Sequence, residues 1–166
     1  MSLPDAEITL TALADRMRGA VAYDAKFVGI YSGGAWIAER LAQLIEGDHA
    51  VGYIDVSFYR DDFSSKGLKP EVKRTHLPFE VEGATIVLVD DVLYTGRSVR
   101  AAINELFDFG RPERIELAVL IDRGGRELPI EASYTGARLV VARHLSVALS
   151  RSHDGRLSLA TETGGA

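Results

Sequence analysis

The chain has 166 residues, of which 46% are apolar and 26% charged, so we expect one domain over residues 1–166 with a sizeable core. Its net charge of −5 excludes nucleic-acid binding by overall charge and leaves only a local basic patch for that role. The absence of cysteine excludes disulfides and thiolate metal sites, and without a bilayer-spanning run or a signal-peptide pattern we expect a cytoplasmic protein with no membrane contact.

The first part of the chain alternates helix and strand patterns. Apolar residues at helical spacing over 7–21 predict an amphipathic helix, 27–31 reads as a buried strand, and 35–45 predicts a second helix. The strand and the second helix are joined by Tyr31, Ser32, Gly33 and Gly34. Backbone amides in such a turn can cradle a phosphate, although a glycine pair there is more often only a tight turn.

The next segment combines a strand with a long irregular stretch. Residues 51–58 show the two-residue side-chain alternation of a strand. Residues 61–78 are instead rich in Asp, Ser, Lys, Gly and Pro and show little periodicity. Long irregular segments in compact domains are typical of functional lids. A solvated hairpin is an equally good interpretation of the lysines there.

The middle of the chain carries the most informative stretch. Apolar residues predict a strand buried on both faces, two carboxylates follow where that strand is expected to end, and a helix pattern begins after a short polar loop. The stretch consists of Ile86, Val87, Leu88, Val89, Asp90, Asp91, Val92, Leu93, Tyr94, Thr95, Gly96, Arg97 and Ser98.

This loop has the chemistry of a sugar-phosphate site. Hydroxyls of Thr95 and Ser98, a glycine that lets the backbone approach a ligand, and the amides at a helix start all favour a phosphate. Asp90 and Asp91 are acceptors that suit sugar hydroxyls or a divalent cation. The alternative is that the Asp pair and Ser98 only cap the helix, but capping does not need two consecutive carboxylates.

The second half predicts two further strands and a hairpin. Glycine at 110 ends the central helix, 115–121 reads as a strand, and 139–142 reads as the last strand of the sheet. Alternation over 145–159 predicts an edge strand or a hairpin, and 161–166 reads as a frayed tail. A charged turn, Asp122, Arg123 and Gly124, follows the strand 115–121 at the same sheet edge.

The central stretch resembles the phosphoribosyl pyrophosphate (PRPP) motif of type I phosphoribosyltransferases. Its residues are most similar to those of the PyrR branch of pyrimidine operon regulators. Residues 55–62, 110–112 and 118–130 resemble the same branch in the same order. The resemblance implies an α/β fold, with an open, mostly parallel sheet flanked by helices and a small hood at about 59–80.

The resemblance also implies a role for each part of the site. The stretch 86–98 would bind PRPP or a nucleotide, with Asp90 and Asp91 holding the ribose hydroxyls and, directly or through water, Mg²⁺. Arg60 would reach the pyrophosphate from the hood. The base pocket would be formed by Val92, Asp122, Arg123 and Gly124.

Two positions bear on the expected activity. The family commonly has Lys or Arg in the pyrophosphate loop, whereas here 31–34 has neither, which leaves backbone amides and Ser32 to hold pyrophosphate. Purine-specific relatives usually carry a carboxylate at the position of Tyr94, and a phenol does not act as that acid or base at neutral pH. The resemblance therefore implies a pyrimidine base, with uracil and PRPP giving UMP and pyrophosphate.

The resembled branch also regulates pyrimidine genes, through a dimer that binds leader RNA on a basic face with uridine nucleotides as effectors. Candidate basic residues are Arg16, Arg18, Arg138, Arg143, His144, Arg151 and Arg156, although such spread charges are more often a solvated face. A regulator with little or no catalysis is the alternative. A receiver domain is less favoured, because its acidic pair normally follows the first strand.

Overall fold

A computed structural model of the chain describes residues 1–57 and 75–164. The helices are α1 (Ala6–Met17), α2 (Gly33–Leu44) and α3 (Arg97–Phe109). The strands are β1 (Lys26–Ile30), β2 (Val51–Ile54), β3 (Thr85–Leu93), β4 (Arg114–Asp122), β5 (Tyr134–Arg138), β6 (Leu145–Arg151) and β7 (Leu157–Thr163). Arg60 and the expected hood up to residue 74 lie outside the described residues.

Five strands form one parallel sheet in the order β2-β1-β3-β4-β5. In the register, Val28 of β1 lies between Gly52 of β2 and Leu88 of β3. The order reverses between β1 and β3, because the chain proceeds from β1 to one edge and from β3 to the other. Open α/β sheets bind ligands beyond the carboxyl ends of the strands at such a reversal. The expected open parallel sheet flanked by helices is confirmed.

The helices cover both faces of the sheet. Val87 and Val89 of β3 belong to the core that packs under α1 and α2, whereas Ile86 and Leu88 belong to the core under α3. This division follows from the two-residue period of a strand, and burial on both faces explains why residues 86–89 of β3 are all apolar. Across 1–57 and 75–164, the structure contains no helix with the length and apolarity needed to cross a bilayer.

Two strand boundaries differ from the prediction. β3 does not end before the acidic pair but continues to Leu93, because its pairing with β4 continues there, with Asp90 opposite Val119. The predicted strand at 51–58 is shorter, since β2 ends at Ile54. Both differences come from pairing with a neighbouring strand, which the local pattern does not contain.

The prediction of a strand at 139–142 is wrong. The sheet ends instead with β5, in which Ala137 pairs with Ile121 of β4, and Val140 is 94% exposed. Gly136 lets β5 approach, since a Cβ atom there would lie 2.5 Å from the carbonyl oxygen of Leu120. Close backbone packing therefore selects the strand here, although 139–142 is the more apolar segment.

The predicted C-terminal hairpin is confirmed as the antiparallel pair β6 and β7. β7 reaches Thr163, so it includes the first three residues of the segment that the sequence assigned to a tail. Glu7 of α1 joins the hairpin to the helices, because its carboxylate accepts from the amide of Leu157 at 2.8 Å and from Arg40 of α2 at 2.6 Å. The hydrogen bond from Arg40, followed by that from Leu157, lowers the pKa of Glu7.

The packing of α3 gives a stability prediction. Leu106 is fully buried, whereas the next residue, Phe107, is 52% exposed. Truncation of a buried leucine removes apolar contacts and leaves a cavity, so Leu106→Ala should lower the free energy of unfolding by about 2–5 kcal/mol. Phe107→Ala, which removes more atoms from the same helix, should cost less than about 1 kcal/mol. Urea denaturation of both variants measures the difference, and equal costs would show that the face of α3 is assigned incorrectly.

Candidate functional site

The loops that follow β1 and β3 meet at the carboxyl edge of the sheet. A Cβ atom on Gly33 would overlap with the carboxylate of Asp91, and one on Gly34 would overlap with the carbonyl oxygen of Val89. Only glycine fits at these two positions, so the start of α2 lies directly against the end of β3. The structure thus brings together the two phosphate-binding turns that the sequence predicted separately.

The acidic pair points to two sides of the sheet. Asp90 is 5% exposed and borders the pocket at the start of α3, whereas Asp91 lies beside Gly33 on the α2 side. Consecutive strand residues face opposite ways, so this separation follows from the extension of β3 through both residues. Oδ1 of Asp90 accepts a hydrogen bond from the amide of Asp91, and Oδ1 of Asp91 accepts one from the amide of Val92, each at 2.9 Å. These bonds orient both carboxylates.

The predicted phosphate-binding loop forms a pocket that is open to solvent and lined by Asp90 and by residues 92–99. Gly96 has φ +93°, which a residue with a side chain rarely adopts, and it allows α3 to begin at Arg97. The hydroxyl of Thr95 accepts from the amide of Arg97 at 3.2 Å. The pocket therefore lies at the amino end of α3, where the helix dipole favours an anion.

The expected base-pocket turn has a structural role that the sequence did not predict. The carboxylate of Asp122, 3% exposed, accepts from Arg126 Nη2 at 2.8 and 2.7 Å and from the amide of Gly124 at 3.0 Å. Burial by itself raises the pKa of Asp122, but the hydrogen bonds from Arg126 and Gly124 outweigh it and the pKa is lowered. Asp122 therefore forms an ion pair inside the turn.

Arg123 lies under the same turn and is 6% exposed. Its Nη1 donates to the carbonyl of Leu145 at 2.7 Å and its Nη2 to that of Ala142 at 3.3 Å. The guanidinium carbon lies 3.9 Å from the ring centroid of Tyr94. Arg123 thus anchors the segment that leads into β6 and packs on Tyr94, so its side chain supports the turn that the resemblance assigns to the base pocket.

The turn 31–34, to which the resemblance assigns the pyrophosphate, carries an aromatic stack and no basic residue. The ring of Tyr31 stacks on that of Tyr53 with centroids 5.3 Å apart, and the Tyr53 hydroxyl donates to Glu39 at 2.7 Å. Burial raises the pKa of Tyr31, and burial together with Glu39 raises that of Tyr53 to about 12. Both phenols therefore stay neutral and add no charge to the loop.

The acidic pair fits a magnesium ion that arrives with a phosphorylated ligand. Within 1–57 and 75–164, no group of three or more His, Asp or Glu side chains forms a metal site supplied by the protein alone. Mg²⁺ is usually held by one or two carboxylates, with its other ligands from phosphates and water. Asp90 borders the predicted phosphate pocket and Asp91 lies on the α2 side, so one of the two carboxylates would provide such a ligand.

The predicted basic residues do not form one uniform patch. Arg18 pairs with Asp15, Arg156 lies 3.5 Å from Asp5, and Arg138 lies 3.7 Å from the Asp122 carboxylate. The guanidinium of Arg151 lies 4.8 Å from the ring centroid of Trp36, and Arg16 donates to a backbone carbonyl of β5. Arg143 and His144 are exposed at the start of the hairpin.

Comparisons with known proteins agree with this geometry. A family model described as the phosphoribosyl transferase domain matches residues 7–149. The bifunctional protein PyrR of Ralstonia nicotianae is 53% identical over 143 residues, which cover 86% of this chain and 82% of the relative. The bifunctional protein PyrR of Pseudomonas fluorescens is 46% identical over 154 residues, covering 90% and 92%.

Solved structures show the same fold. A hypoxanthine-guanine phosphoribosyltransferase from Bacillus anthracis matches with a TM-score of 0.66 and 18% identity over 84% of both chains. A purine phosphoribosyltransferase from Pyrococcus horikoshii matches with a TM-score of 0.62 and 25% identity, over 81% of this chain and 83% of that one.

The ion pair of Asp122 gives a prediction for acid stability. Because the pKa of this carboxyl is lower in the folded chain than its ordinary value of 3.8, it stabilises the fold above that value, and the effect disappears as the pH falls through the lowered pKa. Asp122→Asn should therefore lower the free energy of unfolding at pH 7 by about 1.5–3 kcal/mol. The gap from wild type should close below pH 3.8.

Urea denaturation at a series of pH values measures this gap. Asp24→Asn, at an exposed position, is the control and should give a small difference at every pH. A gap for Asp122→Asn that persists unchanged to low pH would contradict the ion-pair explanation.

Proposed function

The chain belongs to the phosphoribosyl transferase domain family, in its PyrR branch, and from this membership we propose that it transfers the phosphoribosyl group of PRPP to uracil, giving UMP and pyrophosphate. The observation that carries the proposal is the contact of Gly33 with Asp91, which joins a phosphate-binding turn to an acidic strand end at the reversal of the sheet. A sugar with phosphate groups at two ends fits across these two loops.

The proposed binding mode uses each loop for one part of PRPP. The 5′-phosphate lies in the pocket formed by 95–98, where hydroxyls, helix amides and the dipole of α3 attract it. Asp90 and Asp91 accept hydrogen bonds from the ribose hydroxyls. The pyrophosphate lies along 31–34, where Ser32 and backbone amides donate to it.

Catalysis then depends on positioning and charge. The bond from uracil N1 to ribose C1 forms as the bond from C1 to the pyrophosphate oxygen breaks. Positive charge develops at C1, and the proton of N1 is released to solvent. The carboxylates held at the end of β3 stabilise that charge without reorganisation, and fixed orientation of both substrates lowers the entropic part of the barrier. Asp90 or Asp91, together with the phosphates, would hold Mg²⁺, and the ion would supply positive charge to balance the leaving pyrophosphate.

Tyr94 supports the choice of a pyrimidine. Its ring lies between the guanidinium of Arg123 and Gly125, where a Cβ atom would come within 2.5 Å of the ring. The phenol therefore occupies a defined place beside the proposed base pocket and offers neither a carboxylate nor a general base to a purine. We infer that the pocket selects a base that needs no acidic partner there.

Regulation through RNA is the second part of the proposal. Relatives at 46% and 53% identity are named bifunctional, and Arg143 and His144 are exposed at the start of the hairpin. We propose that the protein, as a dimer, also binds the leader RNA of pyrimidine genes and that UMP strengthens this binding.

The enzymatic proposal is tested by measuring UMP formation from uracil, PRPP and Mg²⁺. Asp91→Asn removes a carboxylate charge beside the reacting sugar, so kcat/KM should fall by about 100-fold, equal to about 2.7 kcal/mol of transition-state stabilisation. Asp108→Asn, at an exposed position near the end of α3, is the matched control and should keep wild-type activity. Adenine and hypoxanthine should not be converted, and turnover of a purine but not of uracil would refute the base assignment.

The RNA proposal is tested by a gel-shift titration with leader RNA of a pyrimidine operon at several salt concentrations. Binding should survive competitor RNA, tighten with UMP, and weaken with salt in proportion to the number of phosphate contacts. The double variant Arg143→Gln/His144→Gln should reduce both affinity and salt slope. Equal affinity for an unrelated RNA would contradict specific regulation and leave the enzyme activity as the only function.

A further inference from the structure

One arginine outside the predicted site ties together three segments around it. Arg126 donates through Nη2 to both oxygens of Asp122, at 2.8 and 2.7 Å, and Asp122 is the last residue of β4. Its Nη1 donates to the carbonyl of Tyr94 at 2.8 Å, and its Nε to the carbonyl of Ile130 at 2.9 Å. All three nitrogens of the guanidinium are thus bound, each to a different part of the chain.

We propose that Arg126 is a positioning residue for phosphoribosyl transfer. It holds the phosphate-binding loop (95–98) at a fixed distance from the turn formed by residues 122–126, which we call the base-side turn. This inference rests on the proposed function and adds to it a residue that acts only through other residues. Arg126 acts through the groups that it binds, because all three nitrogens of its guanidinium donate to carbonyl or carboxylate oxygens of the protein.

The carbonyl of Tyr94 places this contact at the base of the phosphate pocket. The next carbonyl, that of Thr95, accepts from the amides of Glu127 and Leu128 at 3.0 and 3.1 Å. The carbonyls of the loop are therefore held from the side of 126–130, while residues 95–98 line the pocket. Movement of Arg126 would shift the phosphate site.

The same residue controls the base-side turn. Gly124 and Gly125 both have left-handed φ, +70° and +83°, and they turn the chain back so that Arg126 reaches Asp122 four residues earlier. Gly125 packs on the ring of Tyr94. The turn, Tyr94 and the phosphate loop form one connected unit, and loss of Arg126 should change the binding of both substrates together.

Lysine cannot replace this arginine. A guanidinium is a rigid planar fork with five donors, whereas an ammonium is a single point on a flexible stem. Lysine can keep the ion pair with Asp122, but it cannot at the same time donate to the carbonyls of Tyr94 and Ile130. The conservative variant therefore separates the geometric role of Arg126 from its charge.

Steady-state kinetics of Arg126→Gln and Arg126→Lys test the proposal. Arg138→Gln is the matched control, because Arg138 faces the same carboxylate from 3.7 Å but is 68% exposed. We expect kcat/KM for both PRPP and uracil to fall at least tenfold in both Arg126 variants, mainly through KM, and to stay at the wild-type value in the control. Adding methylguanidinium to Arg126→Ala should restore part of the activity, whereas methylammonium should not.

Hydrogen exchange of the same variants provides a measurement that does not need activity. The amides of 94–98 and 123–130 should exchange faster in Arg126→Lys, with thermal unfolding close to wild type and exchange in α1 unchanged. Wild-type kcat/KM and wild-type exchange in Arg126→Lys would overturn the positioning role, even if Arg126→Gln failed to fold. Absence of UMP formation by the wild type, together with faster exchange in the variants, would refute the proposed function but not the coupling of the loops.

Discussion

The contact between two glycines and the end of a strand is the constraint on which the site depends. Gly33 and Gly34 lie so close to Asp91 and Val89 that neither can carry a side chain. This contact is possible because β1 and β3 are neighbours in the sheet while their loops lead to helices on opposite faces. Two turns that are far apart in sequence thereby lie side by side at one edge of the parallel sheet.

The two-residue period of the strand places the two carboxylates near different loops. Because β3 continues through the acidic pair, Asp90 faces the pocket at the start of α3 and Asp91 faces the turn before α2. If both carboxylates pointed to the same side of the sheet, they would lie near only one of the two loops. The extension of the strand therefore turns consecutive carboxylates toward different loops, with orientations fixed by hydrogen bonds from the adjacent backbone amides.

The positively charged side chains around the site mostly stabilise the loops of the protein itself. Arg123 and Arg126 donate to carbonyls and to Asp122, and the pyrophosphate loop carries the neutral stack of Tyr31 and Tyr53. Described side chains at this loop thus bring little positive charge to a leaving pyrophosphate. In the proposed reaction, the backbone amides of this loop, an accompanying Mg²⁺ and Arg60 would supply the positive charge, while the guanidinium of Arg126 holds the neighbouring loops in place.

The sequence by itself determined the helices, the buried central strand, the hairpin and the two glycine-containing turns that join a strand to a helix. These are local features, since apolar periodicity and glycine or hydroxyl residues at a strand end express preferences of the nearby backbone. Only the tertiary structure decided that β3 runs to Leu93, that the fifth strand is Tyr134–Arg138 and not the more apolar 139–142, and that Asp122 and Arg123 support the turn while Arg126 joins it to the loop. Strand pairing and the direction of a buried guanidinium depend on partners distant in the chain, and a local pattern contains no information about which partner will be within reach.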